Sequence, residues 1–97
     1  MSRTYVLSAE ADDDLLEIWS YVFAQSGSDR RADRVIDELY VTFDVIARNP
    51  AMGKPRDWSR GQSVFPHGAY WILYRIHDGD IEISRITGAD EGVRGET

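Results

Sequence analysis

No cysteine occurs anywhere in the 97 residues. Disulfide frameworks and thiolate zinc sites are therefore excluded, which fits a reducing compartment. Long hydrophobic runs are missing as well. The longest, Ala69-Tyr70-Trp71-Ile72-Leu73-Tyr74, falls far short of the roughly 20 residues a membrane-spanning helix needs. Near the start, the apolar stretch Tyr5-Val6-Leu7 is too short for a signal-peptide core, and a soluble, cytoplasmic protein is expected. Nor is there an excess of positive charge. The net charge is −6, whereas a general nucleic-acid binder draws its affinity from cations that neutralise phosphate. There is no internal repeat, no phosphate-cradling glycine loop and no motif of a serine triad around Ser59, Ser63 or Ser84.

What is present suits one small folded domain. The composition is 42% hydrophobic and 11% aromatic, too rich in core-forming residues for a disordered tail. A single domain over residues 1–89 is expected, with a polar tail at 90–97. The charge is unevenly spread. Residues 1–49 hold five arginines against ten Asp and Glu, whereas between Lys54 and Arg75 four cations face only Asp57. An acidic first half and a locally basic second half result.

Periodicity divides the chain into elements. Thr4–Leu7 reads as a short strand. Ser8 is a good helix N-cap, followed by Glu10, Asp12, Asp13 and Asp14, where the helix dipole favours anions. Ala11, Leu15, Ile18, Trp19, Val22 and Phe23 form the apolar stripe of that helix, which Gln25-Ser26-Gly27-Ser28 stops. Ser28 or Asp29 caps a second helix, striped by Ala32, Val35, Ile36, Leu39, Tyr40, Phe43, Ile46 and Ala47 and ended by Asn49-Pro50. So short a turn implies an antiparallel helical hairpin. Residues 50–61 read as a loop. Ser63–Phe65, Ala69–His77 and Asp80–Thr87 read as strands, the last two joined by an Asp78-Gly79 hairpin turn, with Ile81, Ile83 and Arg85 on one face. The expected fold is α+β, in the order β-α-α-β-β-β: a helical hairpin packed on a small, mostly antiparallel sheet.

The chemistry-bearing residues are few. The carboxylates of the first helix splay around its axis rather than converge on a metal ion, so no metal site is expected. His67 and His77 read as surface histidines. The aromatics Trp19, Tyr21, Tyr40, Trp58, Tyr70, Trp71 and Tyr74 exceed what so small a core needs. Most would be core, and the remainder would suit an interface. Arg85 has two readings. It could be a structural sheet arginine that stacks on Trp71 or meets an acid, or a functional cation on an apolar face satisfied by solvent or an aromatic neighbour until a partner's carboxylate pairs with it.

Four phrases then stand in a telling order: Tyr5-Val6-Leu7-Ser8-Ala9-Glu10-Ala11 with Asp14-Leu15 and Ile18-Trp19-x-Tyr21; Ile46-Ala47-x-Asn49-Pro50-x-Met52-Gly53-Lys54-Pro55-Arg56; Phe65-Pro66-x-Gly68-x-Tyr70-x-Ile72-x-Tyr74-Arg75-Ile76; and Ile81-Glu82-Ile83-x-Arg85-Ile86. Over residues 4–89 the chain resembles the ParE branch of the RelE/ParE toxin superfamily. The resemblance implies the toxin half of a type II toxin–antitoxin pair, neutralised in a hetero-oligomer by a ParD-like ribbon-helix-helix antitoxin whose C-terminal segment wraps over it. It also implies DNA gyrase as target, inhibited by binding, with no cofactor, no catalytic residue and no sequence-specific nucleic acid. Antitoxin contact is expected at Trp19, Tyr40, Phe43, Trp71 and Arg85, and target contact at Lys54, Arg56 and Arg60. Two alternatives stand beside it. One is a RelE-like, ribosome-dependent messenger endoribonuclease using Lys54, Arg56, Arg60, Arg75 and Arg85. The other is a degenerate member that only binds antitoxin. ParE relatives commonly close the last strand with a histidine, a small residue and an Arg-Asp pair. Here the text is Ile86-Thr87-Gly88-Ala89-Asp90-Glu91, without that histidine or arginine.

Overall fold

The computed structural model describes residues 5–88. The tail expected at 90–97 lies outside the described residues. Two helices pack on a five-stranded mixed sheet. Strand β1 (Tyr5–Leu7) leads to α1 (Ala9–Ser26) and α2 (Asp29–Arg48). A 3-10 turn at Pro50–Met52 follows, then β2 (Lys54–Pro55), β3 (Ser63–His67), β4 (Tyr70–His77) and β5 (Asp80–Gly88). The sheet order is β1-β5-β4-β3-β2. Among the described residues only the β1–β5 pairing is parallel.

Both helices start where the hydroxyls predict. Ser8 Oγ accepts the Ala11 N–H and Ser28 Oγ accepts the Arg31 N–H, satisfying donors that the first turn leaves open. Gly27 ends α1 in the left-handed region, φ 69°, where its N–H reaches Phe23 O. At the β4–β5 turn Asp78 and Gly79 both have positive φ, 54° and 82°, the type I′ geometry that matches strand twist.

One core fills the space between helices and sheet. Ala11, Leu15, Ile18, Leu39, Phe43 and Ile46 from the helices meet Tyr5, Ile72, Tyr74, Ile81, Ile83 and Ile86 from the strands. Because side chains alternate along a strand, Trp71 and Leu73 take the opposite face of β4. Leu73 and its cross-strand partner Val64 are buried there, 7% and 3% exposed, outside the main core. Residues 56–62 run past the same face, where Arg56 and Trp58 lie against Trp71 and Gln62 bonds Ser84. The Ser59 hydroxyl knots that loop, accepting Arg56 N–H and donating its one proton to Gln62 O at 2.7 Å, with Arg56 O at 2.9 Å as the alternative acceptor.

Two departures from the expected layout matter. The stretch read as plain loop contains the 3-10 turn and β2, whose two residues pair with Val64 and Ser63 at the sheet edge. More important, β5 carries a bulge. Tyr74 pairs with Ile83 but Leu73 pairs with Arg85, so Ser84 is an extra residue. Arg85 is thus not on the face of Ile83, as strict alternation required. It stands opposite Leu73, and the alternation resumes with Ile86 buried.

The 3-10 turn is pinned by a core side chain. The Tyr74 hydroxyl, on a residue 2% exposed, donates to Pro50 O at 2.6 Å and accepts Gly53 N–H at 2.8 Å. A Cβ at position 53 would lie 2.8 Å from Tyr74 Cε1 and 2.9 Å from Cζ, with a ring that the core prevents from moving. Gly53→Ala is expected to lower stability by about 1–3 kcal/mol in chemical denaturation. Wild-type stability in that variant would mean the contact is loose and the pin unimportant.

Candidate functional site

The residues singled out from sequence do not share one surface. Phe43 is 0% exposed and packs edge-on against Tyr5 and Tyr40, with centroids 5.6 Å away in each case. It has no surface to offer a partner in the free chain, a correction to its expected contact role. Its place in the α2 stripe is a core position. Tyr40 is half-buried against the same core. Trp19 belongs to the helical hairpin. Its ring stacks on Phe23 at 5.3 Å and its indole N–H donates to Asp33 at 2.8 Å. Trp71 lies on the far face of the sheet, 5.9 Å from Trp58.

Of the two readings of Arg85, the geometry matches the structural one, in which it meets an acid. Its side chain keeps 48% of its surface, and its guanidinium finds a carboxylate. Its Nε and Nη2 bind the two carboxylate oxygens of Asp14 at 2.8 and 3.2 Å, a two-pronged pair across 71 residues of chain. The Asp14 carboxylate also accepts the backbone N–H of Ile86 at 2.9 Å. Asp14 is 8% exposed, so the other members of the acidic run face outward while this one turns in. Strand β1 pairs with β5 only as far as Ile83, so beyond it the β5 edge is open, and Asp14 on α1 takes both the Arg85 guanidinium and the Ile86 N–H there. The Asp14 hydrogen bond holds the Arg85 guanidinium charged even above its ordinary range, against the opposing effect of burial, with further support from the charges of Asp14, Glu10 and Glu17.

Beside this pair lies a groove of about 510 Å³ between α1 and the ends of β4 and β5. Ile18, Ala69 and Ile86 line its apolar part, and Asp14, Glu17, Tyr21, Tyr70 and Arg85 bring polar groups to it. Tyr21 is 62% exposed. Burial, and secondarily Tyr21, pushes the Tyr70 phenol up from its ordinary range, so it is a neutral hydroxyl near pH 7. Tyr21, Tyr70 and Asp14 were not among the expected contact residues. In sequence they were indistinguishable from core aromatics and a helix-start acid.

The basic residues sit elsewhere. Lys54 is exposed on β2, and Arg56 and Arg60 are exposed on the Ser59-knotted loop. The Arg56 guanidinium lies 4.8 Å over the Trp71 ring, the place Arg85 was read as able to take. Arg75 is committed to Glu82 at 2.8 Å. The histidines are far apart in the fold. His67 Nδ1 is 2.9 Å from Thr42 Oγ1 on α2, and His77 is exposed near the β4–β5 turn, 3.7 Å from the Asp78 carboxylate.

A family model described as "ParE toxin of type II toxin-antitoxin system, parDE" matches residues 5–91. "Toxin ParE1" of Mycobacterium tuberculosis strain H37Rv is 33% identical over 88 residues, covering 89% of either chain. "Toxin ParE1" of Caulobacter vibrioides is 35% identical over 75 residues, 76% of this chain and 77% of that one. A solved structure, "Chromosomal ParDE TA system from P. aeruginosa", superposes with a TM-score of 0.79 at 16% identity, over 88% of this chain and 94% of that one. That likeness bears on the fold, and the sequence matches bear on kinship. A helical hairpin on a bulged five-stranded sheet, matched over nearly its whole length, makes this chain a member of the ParE toxin family of type II toxin–antitoxin systems.

Proposed function

We propose that this toxin acts in the cytoplasm, is silenced by a ParD-like ribbon-helix-helix antitoxin, and inhibits DNA gyrase by binding it. The observation that carries the antitoxin half is the preformed groove beside α1. It is concave, has an apolar floor and ends in an exposed tyrosine and a half-exposed arginine, the features of a surface that receives a partner's segment. Of the contact residues expected from sequence, Arg85 belongs to this groove, and Ile18, Tyr21 and Tyr70 join it. Trp19 and Tyr40 remain contacts along the hairpin. Trp71 comes within reach only of a segment that continues around the β5 edge.

For the target, Lys54, Arg56 and Arg60 remain the proposed contact. They sit on a loop held by Ser59 and by the Arg56–Trp71 stack, so their charges are presented with little ordering left to do on binding. Induced expression in a bacterium tests the reading. Filamentation with DNA damage, relieved when the neighbouring reading frame is co-expressed, is the expected result. Translational arrest with messenger cut in a translation extract would replace gyrase by the ribosome as target.

A further inference from the structure

The groove's charge runs opposite to what a carboxylate-bearing partner would need. Helix α1 carries five carboxylates and no base. Two of them, Asp14 and Glu17, line the groove, with Arg85 as its one cation among the described residues. Arg85 has already given the Nε–Nη2 edge of its fork, one of the two that match a carboxylate, to Asp14. An incoming anion would find that edge occupied, the guanidinium already neutralised by Asp14, and the like charge of Glu17 beside it. An incoming cation would find Glu17 exposed, Glu10 close enough to act on the same guanidinium, and the rings of Tyr21 and Tyr70 in the same wall. The groove also holds an unused polar atom. Among the described residues Thr87 Oγ1 is buried without a hydrogen-bond partner.

We propose that the groove takes a lysine or arginine side chain, flanked by apolar residues, from the antitoxin segment, with Glu17 as its counter-charge and Tyr21 and Tyr70 as its aromatic wall. This rests on the antitoxin reading above and specifies the chemistry of the occupant. Arg85 then acts as a structural strut for the groove wall, and Glu17 is the residue that discriminates by charge.

The test measures affinity of the purified chain for the purified product of the neighbouring reading frame. It compares wild type, Glu17→Gln and Glu17→Lys by calorimetry at low and moderate salt. Glu17 is exposed, so its replacement leaves the core untouched, and thermal melting of each variant verifies this. Glu17→Lys is expected to weaken binding by about tenfold or more, Glu17→Gln by less, and both differences should shrink as salt screens the pair. Unchanged or tighter binding by Glu17→Lys overturns the proposal while leaving the antitoxin reading intact. A wild-type chain that does not bind the neighbour's product overturns the reading itself. A second copy of the chain, or its own residues beyond Gly88, as occupant would appear as a Glu17→Lys effect on self-association or melting with antitoxin affinity unchanged, and would also overturn it.

Discussion

Phe43→Ala is expected to destabilise the free chain by about 3–5 kcal/mol, the range for truncating a fully buried phenylalanine. The side chain is 0% exposed and touches Tyr5 from β1 and Tyr40 from its own helix, so the cavity opens where α2 meets the first strand. A domain of this size holds roughly 5–15 kcal/mol in total, so a large fraction of molecules could unfold at growth temperature. Urea denaturation measures it directly. Antitoxin affinity among the molecules that remain folded should stay near wild type. A fully stable Phe43→Ala chain that fails to bind antitoxin would return Phe43 to the interface.

Asp14→Ala should be the costliest change at any charged position in the described fold, at about 3 kcal/mol. The carboxylate serves Arg85 twice and the Ile86 N–H once. Without it a backbone donor in a buried strand is left unpaired. Arg85 is less exposed to loss, because its side chain keeps 48% of its surface and can turn to water. The cost of Asp14→Ala therefore falls on the stranded Ile86 N–H, whereas Arg85→Ala leaves the Asp14 carboxylate, 8% exposed, still holding that N–H. For a domain of this length each kcal/mol is worth about 4–8 °C in Tm, so Asp14→Ala should melt at least about 10 °C below wild type. A shift of a degree or two would show that the pair is no more than a surface ion pair.

The helical hairpin was legible because its information is local. The stripes of α1 and α2, the hydroxyls of Ser8 and Ser28, Gly27 and the Asp78-Gly79 turn each act within a few residues of themselves. What could not be read depends on contacts far apart in sequence. A bulge at Ser84 has no compositional mark, yet it moves Arg85 off the face of Ile83. Asp14 follows Asp12 and Asp13 and shares their helix-start chemistry. Only the position of α1 over the end of β5 makes it a buried strut. Phe43 and Trp71 looked alike as candidate interface aromatics, but sheet and helix geometry sends one to the core and the other to the far face. The two-residue β2 is too short to leave a pattern and exists because β3 offers an open edge.

Separating groove and basic loop onto different parts of the molecule has a consequence for silencing. An antitoxin segment confined to the groove covers Arg85 and Tyr70 but not Lys54, Arg56 or Arg60. On the proposed reading, neutralisation calls for a segment that continues around the β5 edge or for the bulk of the antitoxin's folded dimer beside it.

Supercoiling of relaxed plasmid by purified DNA gyrase, with increasing amounts of this chain, is the decisive assay for gyrase as target. The expected result is loss of supercoiling with accumulation of linear DNA, reversal by prior mixing with the antitoxin, and a weakened effect when Lys54, Arg56 and Arg60 are replaced together by alanine. Unchanged supercoiling without linear DNA, at high concentrations of a chain shown to be folded, would contradict it.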